Sequence, residues 1–139
     1  MNEAEAIGRR WFKEVWNEGR AEVIDELLSP ACIAWHEPRK HYRGPQGTKE
    51  FFAKQFSAFD QAQFRLIDVF AKGDMAVIWW EATMRHSAAG WKSLAPTGAT
   101  VVVPGMTAIR VADGKIVEGW DFWDRDDLGA QIISAKTLA

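Results

Sequence analysis

With 139 residues, 47% apolar and 26% charged, the chain can bury one substantial core and has neither a disordered nor a fibrous composition. Its net charge of −2 gives no electrostatic footprint for nucleic acid, and no apolar run approaches the roughly 20 residues of a membrane-spanning helix. Cys32 is the only cysteine and the acidic start Met1-Asn2-Glu3-Ala4-Glu5 has no signal-peptide pattern, so the expected compartment is a reducing cytoplasm, with one domain over residues 1–139.

Ile7, Trp11, Phe12, Val15 and Trp16 recur at three- and four-residue spacing and predict a helix over residues 3–18, ended by Gly19. A shorter helix over residues 21–28 turns Ile24, Leu27 and Leu28 inward and stops before Ser29-Pro30, because the residue before proline avoids the helical region. Residues 31–36 read as a short strand. The basic run Arg39-Lys40-His41-Tyr42-Arg43, between Pro38 and Gly44, reads as a solvated loop. Thr48 is the expected cap of a third helix running to residue 59, whose aromatic face carries Phe51, Phe52, Phe56 and Phe59. From residue 63 the period changes to two, predicting strands near 63–70, 74–86, 99–111 and 115–124. Lys72-Gly73-Asp74 and Ala112-Asp113-Gly114-Lys115 are the hairpin turns, since Gly, and Asp better than most, tolerates positive φ. Asp126 or Asp127 is placed to cap a last helical turn through Ile133. Helices followed by an antiparallel sheet make an α+β fold with helices on one sheet face.

Alternation then sorts the strand residues. Over 74–86, Ala76, Ile78, Trp80, Ala82, Met84 and His86 share the face expected to meet the helices; Trp79, among polar residues on the other face, points to sheet-to-sheet dimerisation. Over 115–124, plain counting puts Ile116, Glu118, Trp120, Phe122 and Asp124 inside and Asp121 and Trp123 outside. Asp124 is therefore the candidate acid/base, a carboxyl group in an apolar row, where burial disfavours its ionised form. His36, at the end of its short strand, and His86 are candidates to converge on the same cavity. Trp80, Trp120, Phe122, Met84, Glu118 and Phe56 are candidate substrate-binding residues. For each there is a plainer reading: a histidine at a strand end is commonly structural, Asp124 is placed to cap the next helix, and Glu118 can pair with Arg110 across the hairpin. His36 and His41 are five positions apart and there is no H-E-x-x-H, so no metal site is expected. No phosphate loop, dinucleotide fingerprint or nucleophile elbow is present, and Cys32 lies in an apolar context that disfavours its thiolate.

Taken in order, Val15-Trp16-Asn17, Trp35-His36-Glu37-Pro38, Arg43-Gly44-Pro45, Phe59-Asp60, Gly73-Asp74, His86, Pro96-Thr97-Gly98, Gly105-Met106, Asp113-Gly114-Lys115-Ile116-Val117-Glu118, Trp120, Asp124, Leu128 and Gln131 resemble the SnoaL-like polyketide cyclases of the nuclear-transport-factor-2-like (NTF2-like) superfamily. The resemblance implies a cone-shaped α+β fold, a pocket at its wide end and a homodimer through the outer sheet face. It also implies cofactor-independent acid/base chemistry on a small carbonyl substrate, as in an aldol cyclisation, with Asp124 matching the family's aspartate and Asp121 the other candidate. His36 and His86 match pocket-lining positions. The chain departs from the family at Met84-Arg85-His86, where a Gly-Thr-His run is common, and at Ala88-Ala89-Gly90-Trp91, where a glycine-rich link is common. Both changes lie at the pocket rim. Ketosteroid isomerase shares the superfamily, so isomerisation or dehydration is an alternative, as is ligand binding without turnover.

Overall fold

The computed structural model describes residues 1–37, 39–88 and 95–138, with side chains except at positions 37, 40, 55, 56 and 136–138. Helix α1 (Glu3–Arg10) is capped by Asn2, whose side chain accepts from the Glu5 N–H. It runs on into a π-helical segment, Trp11–Asn17, within the span the apolar spacing predicts. The wider turn brings Trp11, Phe12, Val15 and Trp16 all to the buried side. After α2 (Val23–Leu27) the chain enters β1 (Leu28–Glu37), which folds back on β2 (Lys40–Arg43), so part of the basic run expected to be loop is an edge strand. Helix α3 (Gly44–Ala58) begins at Gly44 with Pro45 in its first turn, where a missing N–H costs nothing; Thr48 is buried within it rather than capping it.

Four long strands follow: β3 (Phe59–Lys72), β4 (Met75–His86), β5 (Thr100–Ala112) and β6 (Lys115–Trp123). Asp113 and Gly114 close the β5–β6 hairpin at φ of 51° and 76°, the turn an Asp-Gly pair favours. The six strands form one sheet in the order β2-β1-β6-β5-β4-β3. All pairs are antiparallel except β1 with β6, which places the end of β1 beside the end of β6. Helix α4 (Arg125–Leu138) closes the chain. β6 stops opposite Gly105, which leaves the start of β5 unpaired on that side. Gln131 fills the gap, donating to the Val102 carbonyl at 2.8 Å and accepting from its N–H at 3.0 Å.

The core lies between the helices and the concave sheet face. On β4 the buried row is Ala76, Ile78, Trp80, Ala82, Met84 and His86, as alternation predicts. On β5 it is Val101, Val103, Gly105, Thr107, Ile109 and Val111. Strand β6 breaks the simple count. Ile116 pairs with Val111, but Glu118 pairs with Arg110, so Val117 is an extra residue. Beyond this bulge the parity reverses: Gly119, Asp121 and Trp123 lie opposite the inward Ile109, Thr107 and Gly105. Glu118, Trp120 and Phe122 lie opposite Arg110, Ala108 and Met106 on the outer face.

Candidate active site

Four inward side chains on four adjacent strands form one hydrogen-bonded line. Trp80 on β4 donates its indole N–H to Thr107 Oγ1 on β5 at 2.9 Å. Thr107 donates to Asp121 Oδ1 on β6 at 2.6 Å. Asp121 Oδ2 meets His36 Nδ1 on β1 at 2.5 Å. As a carboxylate, Asp121 accepts from both neighbours, and charge-assisted bonds of this kind are the stronger class. His36 is 4% exposed and its ring stacks flat on Phe51, with centroids 3.9 Å apart and planes 1° from parallel. Arg125 donates to the His36 carbonyl, which ties the start of α4 to the end of β1. The Asp121 side chain keeps 20% exposure and so can be reached by a ligand.

Asp121 and Thr107 stand between two cavities and line both. The larger, about 500 Å³ out to its open mouth, is walled by Phe12, Trp16, Phe51, Phe64, Trp80 and Trp123, with Met84, Val103 and Leu128. Phe64 meets Trp80 edge-on and contacts Phe12 and Trp16, so the wall is a continuous set of rings. The smaller, about 350 Å³, is lined by His36, Thr48, Cys32, Trp11 and the aliphatic floor of β1, β5 and β6. His36 Nε2 and Thr48 Oγ1 are buried without a hydrogen-bond partner among the described residues. The arrangement can bind a flat apolar molecule and bring one carboxylate, backed by an imidazole, against it. Preorganised polar groups facing an apolar, water-poor volume are what proton transfer to and from carbon requires.

The sequence model of the SnoaL-like polyketide cyclase family matches residues 6–132. The chain belongs to this family. A candidate SnoaL-like polyketide cyclase from Jannaschia sp. CCS1 superposes with a TM-score of 0.86 at 23% identity, over 94% of this chain and 91% of that one. AclR from Streptomyces galilaeus, a candidate hydroxylase, gives 0.82 at 21% identity, over 95% and 96%. A protein of ketosteroid isomerase-like fold from Catenulispora acidiphila DSM 44928, in complex with trimethylamine, gives 0.76 at 14% identity, over 90% of each chain. The fold of this SnoaL-like chain is therefore the α+β, NTF2-like one. A search of curated protein sequences finds no match.

Within the SnoaL-like frame the residues expected at the site separate. Trp80 and Met84 line the large cavity, and His36 lies against Asp121. Asp124 does not face the cavity: it is exposed, and its Oδ1 accepts from the Asp127 N–H at 2.9 Å as the cap of α4. The extra residue at Val117 is the physical reason, because plain alternation carried across it assigns every later residue to the wrong face. The same reversal turns Glu118, Trp120 and Phe122 to the outer row, although Trp120 is still among the residues that line the smaller cavity. Glu118 accepts from Arg110 at 3.0 Å and from the Trp35 indole at 3.4 Å. The Arg110 guanidinium sits 5.6 Å from the Trp120 ring, and Phe122 is 62% exposed. His86 is fully buried and faces inward, but it lines neither cavity. Its Nδ1 accepts from the Thr97 N–H, its N–H donates to the Ala99 carbonyl and its carbonyl accepts from the Gly98 N–H, so it pins the loop before β5. The Phe56 side chain and the link at residues 89–91 lie outside what the structure describes.

Thr107 was missed, and so was the inward position of Asp121. Signals for both exist. Thr107 is the one hydroxyl in an otherwise apolar row on β5, and a glycine inside a strand, here Gly119, commonly marks a bulge. Among the described residues no three His, Cys, Asp or Glu side chains are grouped to hold a metal ion. No helix among them is long and apolar enough to cross a membrane.

Proposed function

We propose that this SnoaL-like chain is a cofactor-independent enzyme that moves protons on a small, flat, carbonyl-bearing molecule, with Asp121 as the acid/base and His36 as its hydrogen-bonding partner. The observation that carries this reading is one partly exposed carboxylate, held by Thr107 and His36, facing a cavity walled by aromatic rings. Asp121 takes a proton from carbon next to a carbonyl, leaving an enolate whose attack within the same molecule closes a ring, and returns the proton to the new oxygen. The rings of Phe12, Trp16, Phe64 and Trp80 hold the apolar body and keep water from the enolate. The working unit is a cytoplasmic homodimer through the outer sheet face, where Trp79, Met106 and Phe122 lie side by side on β4, β5 and β6.

The test is hydrogen–deuterium exchange, followed by NMR in D2O, at the acidic carbon of a flat aromatic ketone. Asp121→Asn lowers the enzyme-dependent rate by about 10²- to 10⁴-fold, the usual share of a positioned acid/base. Asp124→Asn leaves it unchanged. Equal rates in the parent and Asp121→Asn sink the reading, and tight ketone binding with no exchange assigns the chain to ligand binding alone.

A further inference from the structure

The two oxygens of Asp121 are held by partners of different kinds. Trp80 is a donor only, so its N–H occupies a lone pair of Thr107 Oγ1, and the single hydroxyl proton of Thr107 is left to donate to Asp121 Oδ1. If Oδ1 took a proton, Thr107 would have no acceptor for its own, and a buried unpaired donor is costly. His36 has no such restriction, because its Nδ1 can donate or accept according to tautomer. Trp80 can reach Thr107 because it lies over Gly105, its direct partner on β5. A Cβ on Gly105 would meet the indole carbons Cζ2 and Cη2 at 2.3 and 2.4 Å, so glycine there is what lets the ring lie across the strand.

We propose that Gly105, Trp80 and Thr107 are positioning residues that reserve Oδ1 of Asp121 as a permanent acceptor and leave Oδ2, beside His36, as the oxygen that takes and returns the substrate proton. The inference rests on Asp121 being the acid/base but concerns which of its atoms works. In the forward step the substrate C–H bond breaks and an O–H bond forms at Oδ2. The electron pair stays on the substrate as the enolate, so one negative charge passes from Asp121 to the ligand. The Thr107 bond to Oδ1 persists throughout and holds the carboxyl plane against the cavity wall.

Two readouts on the same variants separate this inference from the reading beneath it. The first is the carboxyl ¹³C titration of Asp121 by NMR, which needs no substrate; the second is the pH profile of ketone exchange. Removing a hydrogen bond from the charged form favours the neutral one, so Thr107→Val moves the titration midpoint up by about one pH unit relative to the parent. The acidic limb of exchange, where rate rises as Asp121 ionises, moves with it, and Thr107→Ser restores both. Trp80→Phe and Gly105→Ala move the midpoint the same way by less, and ¹⁵N shifts of the His36 ring still report its contact with Asp121. A midpoint unmoved in Thr107→Val and Trp80→Phe, in folded protein, overturns the proposal even where Asp121→Asn has abolished exchange. A midpoint that moves and is rescued by serine supports the assignment of the oxygens even where no exchange is found.

Discussion

A single thiol shows how strongly the interior acts on one residue. Burial, with the negative charge of Glu118 adding to it, pushes Cys32 up to about 11. In the unfolded chain a thiol ionises near about 8.5. Between these values the unfolded state holds fewer protons than the native one, so stability falls as pH rises from about 8.5 toward about 11 and is fully present below that window. The slope is no more than about 1.4 kcal/mol per pH unit for one proton. Urea unfolding across this range is expected to show the slope in the parent and its loss in Cys32→Ala. Asp124 acts at the same scale in a different way. Replacing it with alanine removes the cap of α4 at a cost of about 1 kcal/mol, read as a lower urea midpoint, with ketone exchange unaltered.

At the scale of elements, helices and turns were legible because their signals are local. The apolar stripe of Trp11, Phe12, Val15 and Trp16 survives a change from α to π winding, and Asp113-Gly114 dictates its own turn. The face of a residue late in β6 was not legible by counting, because one extra residue at Val117 inverts everything after it. The four strands of the site carry Trp80, Thr107, Asp121 and His36; His36 and Trp80 stood out in sequence, and Asp121 was the second candidate for the acid/base behind Asp124. Parity put Asp121 on the outer face, and Thr107 was not singled out in the local pattern. Helix α4 offers a test of its own, since Gln131 stands in for a missing strand along Val102. Gln131→Leu leaves the Val102 N–H and carbonyl without those partners. Hydrogen exchange of the Val102 amide and of α4 is then expected to speed up roughly tenfold, while β3 and β4 stay protected.

For the whole molecule, the sequence carried the α+β class and the family, but not the parallel pairing of β1 with β6, which no local pattern encodes. The outer face of the sheet carries Trp79, Met106 and Phe122 at 38%, 43% and 62% exposure, adjacent across three strands. A contiguous apolar row of that kind suits a self-complementary interface. Sedimentation of the parent is expected to show a dimer, and Trp79→Glu with Phe122→Glu a folded monomer; a monomeric parent removes the dimer from the proposed function.

The bond between His36 and Asp121 joins residues 85 apart in sequence. The chain between them, including α3 and the meander β3–β5, is the loop that this contact closes. Closing so long a loop carries a high entropic cost, so this contact is expected to form late in folding. During synthesis, therefore, a chain that has not yet released β6 holds β1 with one edge bare and its histidine without a carboxylate. In refolding, the shift of the His36 ring resonances is expected to follow the slowest phase, after the tryptophan fluorescence of the core has settled.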